Sequence, residues 1–270
     1  MNKVWFITGC STGFGRNLAQ EVLQNGGKVA VTARNTNDVK DIVNKYLDVT
    51  KPLQVKDAVQ QAINKFGQID VLVNNAGIGY FGAIEESEED QVRRMFEINF
   101  FGLNAVTTEV LPHLRKQRSG HIINISSVGG SVAFPGVGMY NATKFAVTGY
   151  SESLAKELAP LGIKVTVIAP SGFRTDWAGR SANNTKIVID DYKATAHTNQ
   201  HTIRGNSGIQ PGDPVRAAQA IIKIVETEAA PVRLFLGAGA IKGIRNKMAE
   251  MQNDIDAWEE TTLWADNPPS

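Results

Sequence analysis

Six short apolar runs alternate with longer amphipathic stretches along this chain, and that alternation restricts the fold more than any other feature. The runs are KVWFIT (3–8), KVAVTA (28–33), DVLVNNA (70–76), HIINIS (121–126), KVTVIA (164–169) and VRLFLG (232–237). They are apolar nearly throughout instead of every second residue, as strands covered on both faces must be. Residues 14–25, 52–66, 88–115 and 141–159 lie between them and read as helices. Strand-helix alternation with right-handed crossovers predicts an α/β fold: a Rossmann-like, doubly wound parallel sheet with helices on both faces.

The chain has 270 residues, which suits one large domain with a substantial core. No repeat or low-complexity tract divides it. Residues 1–240 are expected to form one domain. A polar stretch rich in Asn, Thr and His interrupts it at about 176–215 and reads as a lid with little strand character. Residues 241–270 are expected to be a helical extension. There Ile241, Ile244, Met248, Met251, Ile255 and Trp258 alternate spacings of three and four, a narrow apolar stripe. The plain expectation is that it packs on its own domain; a subunit contact or a pocket wall are the alternatives.

A net charge of +1 sets up no field favouring nucleic acid or an anionic membrane, so neither is expected as a partner. No stretch approaches the ~20 apolar residues of a membrane span. With one cysteine, Cys10, no intrachain disulfide can form. A cytoplasmic location is the expectation.

TGCSTGFG (8–15) follows the first strand and opens the first helix. Gly9, Gly13 and Gly15 permit a tight turn and close approach of a pyrophosphate to free N–H groups at a helix N-terminus. Ser11 and Thr12 add hydroxyls, and Phe14 lies within the same loop. At the end of the second strand an acid would hold the ribose of NAD. Here the sequence is TARN (32–35), with Ala33 at that place and Arg34 next. A guanidinium pairs with a 2′-phosphate, so NADP(H) is expected.

In PGVGMYNATKF (135–145), Tyr140 and Lys144 stand four apart and would share one helix face. An ammonium beside a phenol, together with the positive charge of an oxidised nicotinamide, favours phenolate and would bring its titration nearer the working pH.

Several motifs then fall in one order: TGCSTGFG, LDV (47–49), NNAG (74–77), INFFG (98–102), ISS (125–127), YNATK (140–144) and APSGFRT (169–175). Taken together, from residue 3 to about 240, they resemble the short-chain dehydrogenase/reductase family in its common form. The resemblance implies roles. Tyr140 is the general acid/base, and Lys144 lowers its pKa and holds the nicotinamide ribose. Ser127 polarises the substrate carbonyl. It is chosen over Ser126 because it lies thirteen residues before the tyrosine and because the two point to opposite faces of an extended chain. Asn99 belongs to a proton relay through a helix kink. Asp48, with Val49, resembles the residues beside the adenine. Asn75, Ala76 and Gly77 line the cofactor, and Pro170, Gly172 and Thr175 touch its nicotinamide end. Two departures stand out. Only 13 residues separate Arg34 from Asp48, about ten fewer than usual, so the sheet edge near the adenine should be altered. PSG replaces PG at 170–172, so Gly172 takes the glycine role shifted by one.

The resulting expectation is an oxidoreductase moving hydride between NADP(H) and a ketone, aldehyde or alcohol, assembled as a homodimer or homotetramer through the long helices 88–115 and 141–159. The alternatives are a non-catalytic NADP(H)-binding regulator of the same fold, and an epimerase or dehydratase. His197 and His201 could share a metal on a helix, but no third ligand lies at metal-site spacing, so no metal is expected. Cys10, without a resolving cysteine or a base, reads as a small filler. Phe81, Phe134, Phe173 and Trp177 could wall an apolar pocket or be core.

Overall fold

Strand β1 (Val4–Ile7) is fully buried and sits near the middle of the sheet. In this computed structural model, residues 3–33, 44–179 and 181–267 are described. The main sheet also contains β2 (Lys28–Ala33), β3 (Asn44–Tyr46), β4 (Val71–Asn74), β6 (Gly120–Ile125), β7 (Ile163–Pro170) and β9 (Arg233–Leu236). Their order is β3-β2-β1-β4-β6-β7-β9, and every pairing is parallel. The order reverses between β1 and β4, which opens a crevice at the carboxyl ends of these strands.

Because successive strand residues face opposite ways, the apolar runs feed two cores. Trp5, Ile7, Val29, Val31 and Ile123 pack against α1 (Gly13–Gln24) and α7 (Pro214–Glu226). Phe6, Ala30, Leu72 and Ile122 pack against α2 (Pro52–Phe66), α4 (Leu103–Gln117) and α5 (Gly138–Leu158). The sequence-predicted strands and helices are all present. The 88–115 stretch is α3 (Glu89–Phe96) running into α4 through a π-helical turn, Glu97–Gly102. The shortened sheet edge is also found: β3 has three residues.

The polar insertion differs from its expectation. It contributes β8 (Ala182–Asn184), paired in parallel with β5 (Gly79–Phe81), and the short helix α6 (Thr198–Gly205). Asn183 and Asn184 are poor strand formers, so the strand exists through its pairing and not through propensity.

The C-terminal helix α8 (Ala238–Trp264) corrects a second expectation. Its first turns meet the domain, where a Cβ on Gly243 would stand 3.6 Å from Val128. Beyond them the apolar stripe does not pack on the domain: Met248 is 64% and Trp258 65% exposed. Among the described residues no helix is long and apolar enough to cross a membrane.

Candidate active site

The glycine loop owes its shape to backbone contacts. Gly9 has φ +71°, and a Cβ there would stand 2.8 Å from the Ala76 Cα. A Cβ on Gly15 would stand 2.5 Å from Asn75 Nδ2 and 2.6 Å from the Gly9 carbonyl oxygen. Glycine therefore lets the loop after β1 lie directly on the turn after β4. Asn75 Nδ2 closes the joint by donating to the carbonyls of Thr8 and Gly9, both at 2.9 Å. The Thr8 hydroxyl accepts from the Asn75 and Ala76 N–H groups at 3.0 and 3.1 Å. Thr12, extended at the N-terminus of α1, makes no side-chain cap, and the first turn carries no acid. The N–H groups there suit a phosphate.

A cavity of about 890 Å³ runs from this loop along the carboxyl ends of the strands. Gly9, Ser11, Thr12, Gly13 and Phe14 line one end, with Ala33, Asp48 and Val49 beside them. Asn75, Ala76 and Gly77 form its middle. Ser127, Tyr140 and Lys144 follow, and Pro170, Gly172 and Thr175 lie opposite. Gly15 and Asn99 sit behind the wall. Arg34 lies outside the described residues. The cradle of glycines, the uncapped helix end and the length of the crevice fit a nicotinamide dinucleotide.

Two close approaches assemble the polar group at the far end. A Cβ on Gly130 would stand 2.6 Å from the Lys144 carbonyl oxygen and 2.4 Å from Ser126 Oγ, so glycine lets the chain after β6 rest on α5. Ser126 Oγ donates to the Lys144 carbonyl at 3.1 Å and meets Thr148, facing the helix. Ser127 faces the other way, accepts the Gly129 N–H at 3.0 Å and hydrogen-bonds the Tyr140 phenol. Tyr140 and Lys144 are both buried on one face of α5, and Lys144 Nζ lies 5.8 Å from the tyrosine ring centre.

Burial of the chain's own groups opposes acidification of this phenol. Burial pushes the Tyr140 phenol up, and the Ser127 hydrogen bond only partly offsets this. Lys144 Nζ donates to the Ile125 carbonyl at 2.8 Å instead of to the phenol, and burial draws its pKa down from 10.5 to about 8. Asn99 lies in the expected helix kink, but its amide is engaged with its neighbours. Oδ1 accepts the Ile78 N–H at 2.8 Å, while Nδ2 donates to the Ile78 carbonyl at 2.9 Å and to Thr143 Oγ1 at 3.1 Å. It fixes the turn after β4.

Trp177, Phe134 and Phe173 line the cavity, whereas Phe81 is core behind it. Trp177 lies 4.8 Å from the Tyr140 ring. Three residues not read from the sequence complete the picture. Arg94 lines the wall. Arg204 donates to Asn184 Oδ1 at 2.9 Å and to the Ala178, Gly179 and Ala182 carbonyls at 3.2, 3.3 and 2.6 Å. Fully buried Glu86 accepts from the N–H groups of Ala83 and Ile189 at 2.9 and 2.7 Å and meets His197 Nε2 at 2.7 Å. Glu86 lies in the charge run EESEED, which reads as solvated surface, so nothing local marks it. Among the described residues no group of three or more His, Cys, Asp or Glu could hold a metal. Cys10 is buried, with its thiol pushed up to about 12 by desolvation, which suits a filler.

Comparison with known proteins agrees with this geometry. The family model described as short chain dehydrogenase matches residues 3–186. The chain is 40% identical to oxidoreductase BOA17 of Botryotinia fuckeliana, covering 97% of this chain and 99% of that one. It is 38% identical to a 3-ketodihydrosphingosine reductase of Bacteroides thetaiotaomicron, over 87% and 88%. A short-chain dehydrogenase from Streptomyces avermitilis superimposes with a TM-score of 0.92 at 36% identity, covering 98% of each chain. Solved neighbours carry either nucleotide. ElxO holds NADP (28% identity, TM-score 0.73, 90% and 100% covered). A Burkholderia phymatum enzyme holds NAD (TM-score 0.81, 93% and 95% covered), but at 21% identity it speaks for the fold alone. The family model covers more than half of the chain and the relatives cover nearly all of it, so this chain belongs to the short-chain dehydrogenases, a family of oxidoreductases.

Proposed function

We propose that the protein is an NADP(H)-dependent carbonyl reductase acting on a ketone or aldehyde with an apolar skeleton. The observation that carries this is the gathering of Ser127 with buried Tyr140 and Lys144 in the same cavity as the glycine loop. Ser11, Thr12 and the N–H groups opening α1 hold the pyrophosphate. Asp48 and Val49 border the adenine, and Pro170, Gly172 and Thr175 border the nicotinamide. Ala33 brings no carboxylate to repel a 2′-phosphate, and Arg34 supplies the charge that attracts one.

The bound nicotinamide supplies the hydride. Ser127 donates to the carbonyl oxygen as negative charge develops, and Tyr140 gives that oxygen its proton. Lys144, oriented by Ile125, holds the ribose and adds positive field near the phenol. Asn99 positions the Ile78 backbone and through it the nucleotide wall. Trp177, Phe134 and Ile203 offer the substrate apolar surface. The Bacteroides relative, named for a keto-group reductase, is in keeping with this direction. Self-association and a cytoplasmic location belong to the same reading.

NADPH oxidation against a panel of carbonyls separates a reductase from a non-catalytic regulator. Tyr140→Phe should lower kcat by ~10²–10⁴-fold while NADPH binding, read by fluorescence titration, persists. Activity within a few-fold of wild type would remove Tyr140 from the chemistry.

A further inference from the structure

Helix α8 spans Ala238–Trp264 and would be ~40 Å long. From residue 248 to 267 every position is exposed. Yet Ile241, Ile244, Met248, Met251, Ile255 and Trp258 keep strict three-four spacing, the 3.5-residue period of a two-helix seam. An apolar ridge of this kind, on a helix unpacked beyond its first turns, is not stable in water without a partner.

The charges say which partner. Lys242, Arg245 and Lys247 occupy the first half; Asp254, Asp256, Glu259 and Glu260 occupy the second. This order opposes the helix dipole, which favours acids early and bases late, so it does not serve the lone helix. It is self-complementary when a second identical helix runs the other way.

We propose that α8 pairs antiparallel with α8 of a second copy of this chain, forming a two-fold dimer contact. The register follows from the stripe. Met248 layers on Met251 of the second copy, Ile244 on its Ile255, and Ile241 on its Trp258. One two-fold axis, between positions 249 and 250, serves all three layers, as closed symmetry demands. In that register Lys247, which lies 3.9 Å from Glu250 on its own helix, flanks Asp254 of the second copy, once on each side of the axis. A parallel pair would set base against base and acid against acid.

The test is the mass of the full-length protein by light scattering and sedimentation equilibrium. Met248→Asp with Ile255→Asp should weaken this contact by at least ~100-fold and halve the assembly mass, with reductase turnover retained. Lys247→Glu alone and Asp254→Lys alone should each weaken it, and the two together should restore it. Cysteine at 241 in one population and at 258 in another should crosslink on mixing, while neither crosslinks with itself; native Cys10 is buried and does not interfere. A wild type that stays monomeric, a seam variant of unchanged mass, or crosslinks from 241 to 241 would overturn the proposal. So would a monomer that binds neutral lipid vesicles through this helix, since a lipid surface would then be the occupant.

Discussion

The two walls of the cavity are built on different principles. The nucleotide wall is backbone lying on backbone: the loop after β1 touches the turn after β4 at Gly9 and Gly15, with no room for a methyl group. The other wall, which the proposed function gives to the substrate, is a polar segment tied down by individual side chains. Arg204 gathers three carbonyls and one amide oxygen, and Glu86 gathers two N–H groups and His197. A wall of the first kind holds one shape, whatever the substrate. One of the second kind can be redrawn by changing two or three residues. On the proposed function, cofactor binding would then be kept while substrate choice changes, because the two depend on different bonds.

The sharpest way to break this contrast is at Gly9. Alanine there adds a left-handed strain and a backbone collision together, so a loss of ~3 kcal/mol is expected by urea unfolding, with nucleotide binding lost in step. Gly67 is the control. It has φ +82° at the end of α2 with nothing within 4 Å, so alanine meets strain alone and should cost ~1 kcal/mol. Equal losses at the two sites would mean that close packing adds nothing to the rigidity of the nucleotide wall.

Arg204→Met tests the other wall. The Ala178, Gly179 and Ala182 carbonyls lose their donor, with an expected loss of ~1–2 kcal/mol. The segment 178–205 should be cut by protease about ten-fold faster, and KM for the carbonyl should rise. NADPH affinity should not move. A matching fall in NADPH affinity would show that the walls are coupled.

The same contrast explains what could be read in the sequence. The nucleotide wall was legible because backbone constraint leaves marks: glycines at fixed spacing, apolar runs of strand length, and a tyrosine and lysine one helical turn apart. The pairing of β8 with β5 was not legible, since Asn183 and Asn184 carry no strand signal and the strand arises from a tertiary contact. Glu86 and Arg204 were missed for a related reason. A charged residue in a polar stretch looks the same whether it faces water or binds three carbonyls. The spacing of Tyr140 and Lys144 says nothing of their burial, nor that the ammonium would bond Ile125.

The smallest expected effect, and the finest probe of the side-chain wall, is the pH dependence of Glu86. Burial alone would raise this carboxyl, but the Ile189 and Ala83 N–H groups and then His197 hold it below its ordinary value of 4.5. A carboxyl lowered on folding adds stability that is complete above its unfolded value and fades as pH falls through the folded one. Wild type should therefore exceed Glu86→Gln in stability by its full margin at about pH 5. Below that the margin should narrow, because protonation makes the carboxyl resemble the amide. Unfolding curves at pH 7, 5 and 3.5 read this directly. A margin that persists undiminished at the lowest pH would mean that shape, and not charge, is what Glu86 gives the lid.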